Sequence, residues 1–182
     1  SAAYWDRDAM LWSFPGLLDI DRGLAREALE YALTTQLRNA GTHSRFIDGV
    51  VLEDGFELDE AAAPLVALSA YVDKTGDDGF LRAHRDAVEF LLDRIESHRD
   101  AATGLYSTLQ DAQDEYEKPP FITYDNVLVW RTLLDTKALL DRLQDTAGAE
   151  KAGQKAAQLH DAILKYCVAD GVPGAAGTIF VS

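Results

Sequence analysis

Apolar residues in this chain recur at helical rather than strand spacing, in six separate stretches at about 7–19, 22–38, 58–75, 78–98, 122–143 and 148–168. Stretches such as "GLAREALEYALTTQLRN" (23–39) are rich in Ala, Leu and Glu, which lose little rotamer freedom in a helix. Short joints at 19–21, 75–77 and 146–149 close the stretches into pairs, whereas the connections between pairs, 39–57 and 99–121, are long. The spacing therefore predicts an all-α chain of three helical hairpins with elaborated loops on one side. The odd-numbered starts are unevenly spaced, so there is no fixed repeat period and a solenoid is disfavoured. With 182 residues, 47% of them hydrophobic, the chain can bury one core and forms one domain over 1–182.

Charge narrows the partners. The net charge is -14 with no basic cluster, which argues against a nucleic-acid backbone. No stretch approaches the roughly 20 uninterrupted apolar residues of a membrane span, and the start lacks the basic-then-apolar layout of a signal peptide. The chain is thus expected in the cytoplasm, without a membrane partner. Cys167 cannot form an internal disulfide and reads as a small buried apolar residue. His43, His84, His98 and His160 show no paired ligand spacing, so neither a metal nor another cofactor is expected.

The two long connections carry aromatic and β-branched residues and do not look like disordered linkers; loops of that length in a compact domain are usually functional. The start "SAAYWDRD" has no initiator Met, and the tail "DGVPGAAGTIFVS" leaves helical composition with no evident partner for "TIFVS". Both features fit a piece of a longer chain.

Each odd-numbered helix is preceded by a similar grammar: "YWDRD", "GFELDE" and "FITYDN". Antiparallel hairpins put the odd starts at one end of the bundle, so Asp6, Arg7, Asp8, Glu57, Asp59, Glu60, Asp125 and Asn126 gather on one rim with Trp5, Phe56, Tyr116 and Tyr124. Polar groups and aromatic faces at one mouth suit a sugar, whose hydroxyls take bidentate partners and whose ring stacks. Asp, Asn and Glu at helix starts are also ordinary caps and dipole partners, and that reading stays open. Trp12 and Trp130, inside helical runs, are expected in the core. The loop "GLYSTLQDAQDEYEKPP" (104–120) holds Asp111, Asp114, Glu115 and Glu117. Crowded carboxylates repel, which raises a pKa as a glycosidase acid requires, although a solvated acidic loop has the same composition.

"WDRD" (5–8) resembles the Trp-x-Arg-Asp signature of the six-hairpin glycosidases, the (α/α)6-barrel superfamily of glucoamylases, debranching enzymes and metal-independent α-mannosidases. "GFELDEAAAPLVALSAYVDKTGD" (55–77) is similar to the Glu-Leu-Asp helix and Thr-Gly-Asp of the exo-α-1,6-mannosidases of glycoside hydrolase family 125. "QDE" (113–115) ahead of "PPFITYDNVLVW" resembles that family's Asp-Asp-Ala loop and the helix after it, with Glu115 at the second acidic position. The resemblance implies a partial (α/α)6 toroid with about three of six hairpins. It also implies an exo-acting, inverting hydrolase that releases terminal α-linked mannose from a glycan without a metal.

On that resemblance Arg7 and Asp8 hold sugar hydroxyls, Glu57 and Asp59 line the same subsite, and Asp114 is the general acid, with Glu115 and then Asp111 as rivals. Trp5, Tyr124, Asp125 and Asn126 complete the substrate-binding candidates. The family's base falls beyond residue 182, so the expectation is either an N-terminal portion of such an enzyme or self-association of two chains to close the ring. The alternatives are an α-glucosidase of glucoamylase or debranching type, which would favour Glu115 as acid, and a helical sugar-binding remnant that does not cleave.

Overall fold

The opening helix starts as a π-helical turn, Arg7–Ser13, and continues as α1 (Phe14–Ile20). Pro15 lacks the N–H that would extend an ordinary ladder back to Leu11, and the wider turn ends just ahead of it. The computed structural model describes residues 3–111, 115, 120–170 and 177–181.

After Asp21, α2 (Arg22–Ala32) folds back along α1. The second hairpin pairs α3 (Leu58–Thr75) with α4 (Asp78–Ala83) and α5 (Arg85–Glu96), and the third pairs α6 (Thr123–Arg142) with α7 (Thr146–Tyr166). α3 lies between the opening helix and α6, buried along most of its length; α2, α5 and α7 form a second layer around these three. The outer helices turn one stripe inward, as in α7, where Ala149, Ala152, Ala156, Leu159 and Ile163 recur three or four residues apart. Met10, Phe14, Leu29, Leu58, Leu65, Leu68, Val72, Leu91, Leu133 and Leu159 belong to one core cluster.

This is the expected all-α arrangement of helical hairpins, with three departures. The helix expected over 22–38 stops at Ala32, and Gln36 is turned inward. Its Nε2 donates to Tyr31 Oη and to the carbonyls of Phe46 and Ile47, which a continuing helix would not allow. The helix expected over 78–98 breaks at His84, whose Nδ1 meets Phe80 O at 2.9 Å while Nε2 reaches Glu30. The long connection 39–57 contains a hairpin of β2 (Thr42–Phe46) and β3 (Val51–Phe56), extended by β1 (Ala3–Tyr4) into an antiparallel sheet of order β1-β2-β3. Tyr4 pairs with Arg45, and Ser44 with Glu53. Gly49 closes the turn at φ +82°, where a Cβ would lie 2.2 Å from Thr35 O.

The tail does find a partner: β5 (Ile179–Phe180) pairs antiparallel with β4 (Val168–Ala169), next to the buried Cys167. Trp12 is not in the core. It is 58% exposed on the π turn, with the Arg7 guanidinium 5.9 Å from its ring centroid. Trp130 is partly buried against the core and packs on His160 at 5.2 Å.

Candidate functional site

The starts of the opening helix, α3 and α6 meet as expected, and the sheet joins them. Glu57, Asp59 and Glu60 all come from the first turn of α3 or the residue before it. Arg7 Nη1 donates to Glu57 Oε2 at 2.9 Å and to Asp59 Oδ2 at 3.1 Å. His43, from β2, lies 2.5 Å from Glu57 Oε1 through Nδ1, and Trp5 stands edge-on to the His43 ring at 6.4 Å. Behind this pairing is a second group: Arg45, also from β2, donates to Asp6 Oδ2 at 2.5 Å and to Gln36 O at 3.0 Å. Tyr4 Oη donates to Asp6 Oδ1 at 2.9 Å.

None of the three odd starts is capped by its own side chain, so local capping does not account for these acids. Their charges are instead buried. Asp6, Arg7, Arg45, Glu57, Asp59, Glu60 and Asp125 are all nearly inaccessible, giving five carboxyl groups against two guanidiniums. Burial pushes the carboxyls of Glu57, Asp59 and Asp6 above the usual range. Glu60 is pushed well above it by burial and by the adjacent Asp6.

Asp125, in the first turn of α6, is 1% exposed, and its Oδ1 is buried with no hydrogen-bond partner among the described residues. Burial, with the negative charges of Asp59 and Glu57 added, pushes its carboxyl up to about 8. It therefore holds a proton at neutral pH and can donate as well as accept a hydrogen bond. The half-exposed ring of Tyr124 lies beside it in sequence, and Asp59 and Asp125 raise the Tyr124 phenol after burial does.

The remaining candidates divide. Asp8 is exposed. Asn126 is fully buried and its amide is engaged with backbone: Oδ1 accepts from Tyr106 N at 2.8 Å, and Nδ2 donates to Tyr106 O and Ile122 O. It fixes the base of the acidic loop rather than facing the mouth. In that loop Asp111 is partly buried, and its charge contributes to raising Asp125. Glu115 is exposed; its carbonyl accepts the Asp111 backbone N–H, and its own N–H donates to the Asp111 carboxylate Oδ1 at 3.1 Å. Asp114, Tyr116 and Glu117 lie outside the described residues.

The sequence reading passed over Arg45 and His43. The one available signal was charge: an Arg inside the short run "THSRF" has no acidic neighbour of its own, while the helix starts hold more acids than one Arg can balance. Among the described residues no group of three or more His, Cys, Asp or Glu is arranged to hold a metal ion, and no helix is long and apolar enough to cross a membrane.

No protein-family model matches the chain, and no curated protein matches it. Solved structures do. A metal-independent α-mannosidase from Streptococcus pneumoniae, determined as a non-productive complex with α-1,6-mannobiose, aligns with a TM-score of 0.82 at 16% identity, over 98% of this chain and 54% of that one. A bacterial glucoamylase complexed with acarbose aligns with a TM-score of 0.75 at 18% identity, over 98% of this chain and 24% of the other. A family GH78 rhamnosidase of Bacillus sp. GL1 gives 0.68 at 18%, over 91% and 18%. The chain spans about half the length of the mannosidase it matches. Its helical hairpins have the six-hairpin glycosidase-type fold, as a partial toroid.

Proposed function

We propose that the chain supplies the sugar-binding rim and acid-bearing loop of an exo-acting, inverting glycoside hydrolase that releases terminal α-linked mannose without a metal. The observation that carries this reading is the buried Asp125 Oδ1, which has no hydrogen-bond partner among the described residues and lies beside the charges of Arg7, Glu57 and Asp59. A buried polar oxygen of that kind is costly unless a ligand satisfies it. A sugar hydroxyl can do so, donating or accepting, without bringing further charge into a site already rich in carboxylates. Tyr124, Trp5 and the exposed Trp12 offer ring faces near the same rim.

The general acid is Asp114, Glu115 or Asp111, in that order, on the loop that Asn126 anchors. It protonates the leaving oxygen while a second carboxylate activates water. The likeness to a glucoamylase and the exposure of Glu115 favour a glucoside-cleaving second reading. Self-association that closes the ring is a further proposal, supported by apolar side chains left exposed on the inner helices: Trp12 and Ile20 on the opening helix, Leu134 on α6.

Saturation-transfer NMR with mannose, glucose and α-1,6-mannobiose in parallel tests the reading. Signal from the mannosides that is lost in Asp125→Leu supports it. Glucose-selective signal replaces it with the glucosidase reading, and silence from all three sugars removes the preformed subsite on which it rests.

A further inference from the structure

A helix leaves its first backbone N–H groups without partners inside the helix, and the residue before it ordinarily supplies an acceptor. Asp6 holds that place before the opening helix but caps nothing, because its carboxylate is taken by Arg45 and Tyr4. The acceptor comes from another helix. Glu60 Oε2 accepts Asp6 N at 2.6 Å, and Glu60 Oε1 accepts Arg7 N at 3.1 Å. Glu60 is itself fully buried and within 3.4 Å of Arg45 Nη2.

One four-residue stretch of the chain therefore grips Arg7 at both ends: Glu57 and Asp59 hold its guanidinium, and Glu60 holds its backbone N–H. We infer that Glu60 is a positioning residue of the sugar site, a cap lent by α3 that sets where the Arg7 guanidinium stands relative to Glu57, Asp59 and the open Asp125 oxygen. The inference rests on the sugar-binding reading above for its consequence, though not for its geometry. Glutamine at this place keeps the shape but offers one acceptor oxygen; in either orientation its NH2 faces a backbone N–H, that of Arg7 or that of Asp6 with the Arg45 guanidinium beside it, donor against donor.

The test compares Glu60→Gln with Leu29→Ala, a core truncation in α2 remote from the rim, by thermal unfolding, by titration with α-1,6-mannobiose, and by the NMR resonance of the Arg7 guanidinium. Glu60→Gln is expected to move the Arg7 resonance and to weaken mannobiose binding by roughly tenfold to a hundredfold. Leu29→Ala is expected to lower the unfolding temperature at least as far while leaving both unchanged. An Arg7 resonance that stays in place in folded Glu60→Gln overturns the inference, as does mannobiose affinity within about twofold of the parent protein's. If the parent protein binds no mannobiose, the sugar-binding reading fails, and the resonance alone decides whether Glu60 positions Arg7. Should Glu60→Gln not fold, Glu60→Asp keeps the carboxylate but draws it back by one methylene from the Asp6 and Arg7 N–H groups; a shifted Arg7 resonance there supports the inference and an unmoved one overturns it.

Discussion

At the starts of α2, α4 and α7, Asp21, Asp77 and Asp145 each accept the backbone N–H three residues on, at 2.9–3.0 Å, and all three carboxylates keep contact with solvent. At the other end of the bundle the opening helix, α3 and α6 begin with more acids, yet none of the residues at their N-cap positions caps its own helix with its side chain. Their cationic partners are distant in the chain: Arg45 lies 39 residues from Asp6, and Arg7 lies 50 from Glu57 and 52 from Asp59. The same residue type thus does local work at one rim and tertiary work at the other. Ion pairs follow the division. Around the capped rim Arg142 reaches Asp73 and Asp78 and Arg26 reaches Asp77, all part-exposed, whereas Arg7 and Arg45 are sealed in. Exposed pairs of the first kind contribute little and are screened by salt; breaking a buried pair leaves a charge with no water and no counterion.

The largest effect should come from breaking the sealed side. Arg45→Met leaves Asp6 and Glu60 facing each other without a cation, and should destabilise the protein by about 3–5 kcal/mol in urea unfolding at neutral pH. A loss below about 1 kcal/mol would put the two rims on the same footing.

The second effect is in pH dependence, where the two ends should respond with opposite sign. The folded-state value of Asp125 is raised from 3.8 to about 8, so the folded protein binds the extra proton between those values. Its contribution to stability is fully present below pH 3.8 and is lost as pH rises toward and through about 8. Asp125→Asn should flatten that part of the stability curve between pH 5 and 8; a curve parallel to the parent's would mean that Asp125 is ionised in the folded protein.

The smallest effect belongs to the capped rim. The Phe80 backbone N–H lowers the Asp77 carboxyl, so its contribution is present above the ordinary carboxylate value and lost as pH falls through the lowered one. Asp77→Ala should cost about 1 kcal/mol at neutral pH, the usual worth of a cap, and less in acid. An equal cost at low pH would point to packing rather than charge.

The helices were legible because their apolar periodicity is local: all six expected stretches begin within two residues of a helix, although the one over 22–38 stops at Ala32 and the one over 78–98 is interrupted at His84. The sheet was not. A half-buried strand alternates polar and apolar residues, but Thr42, His43, Ser44 and Arg45 are all buried, two of them because they answer carboxylates on helices. With polar side chains on the inward face the alternation disappears. The site was legible as a gathering of residue types at three helix starts, and Arg7 does sit with Glu57 and Asp59. What could not be read was the pairing within the gathering, since Arg45 meets Asp6 across 39 residues and nothing nearby in the chain announces it.

The lent cap also bears on the order in which the chain can acquire structure. The opening helix has a boundary only once a carboxylate more than fifty residues further along has arrived. Its first turn is therefore a late event, gated by loop closure and by the docking of α3. A nascent chain that has made residues 3–20 alone has no means of marking where that helix begins; the start of the first element is written in the second hairpin.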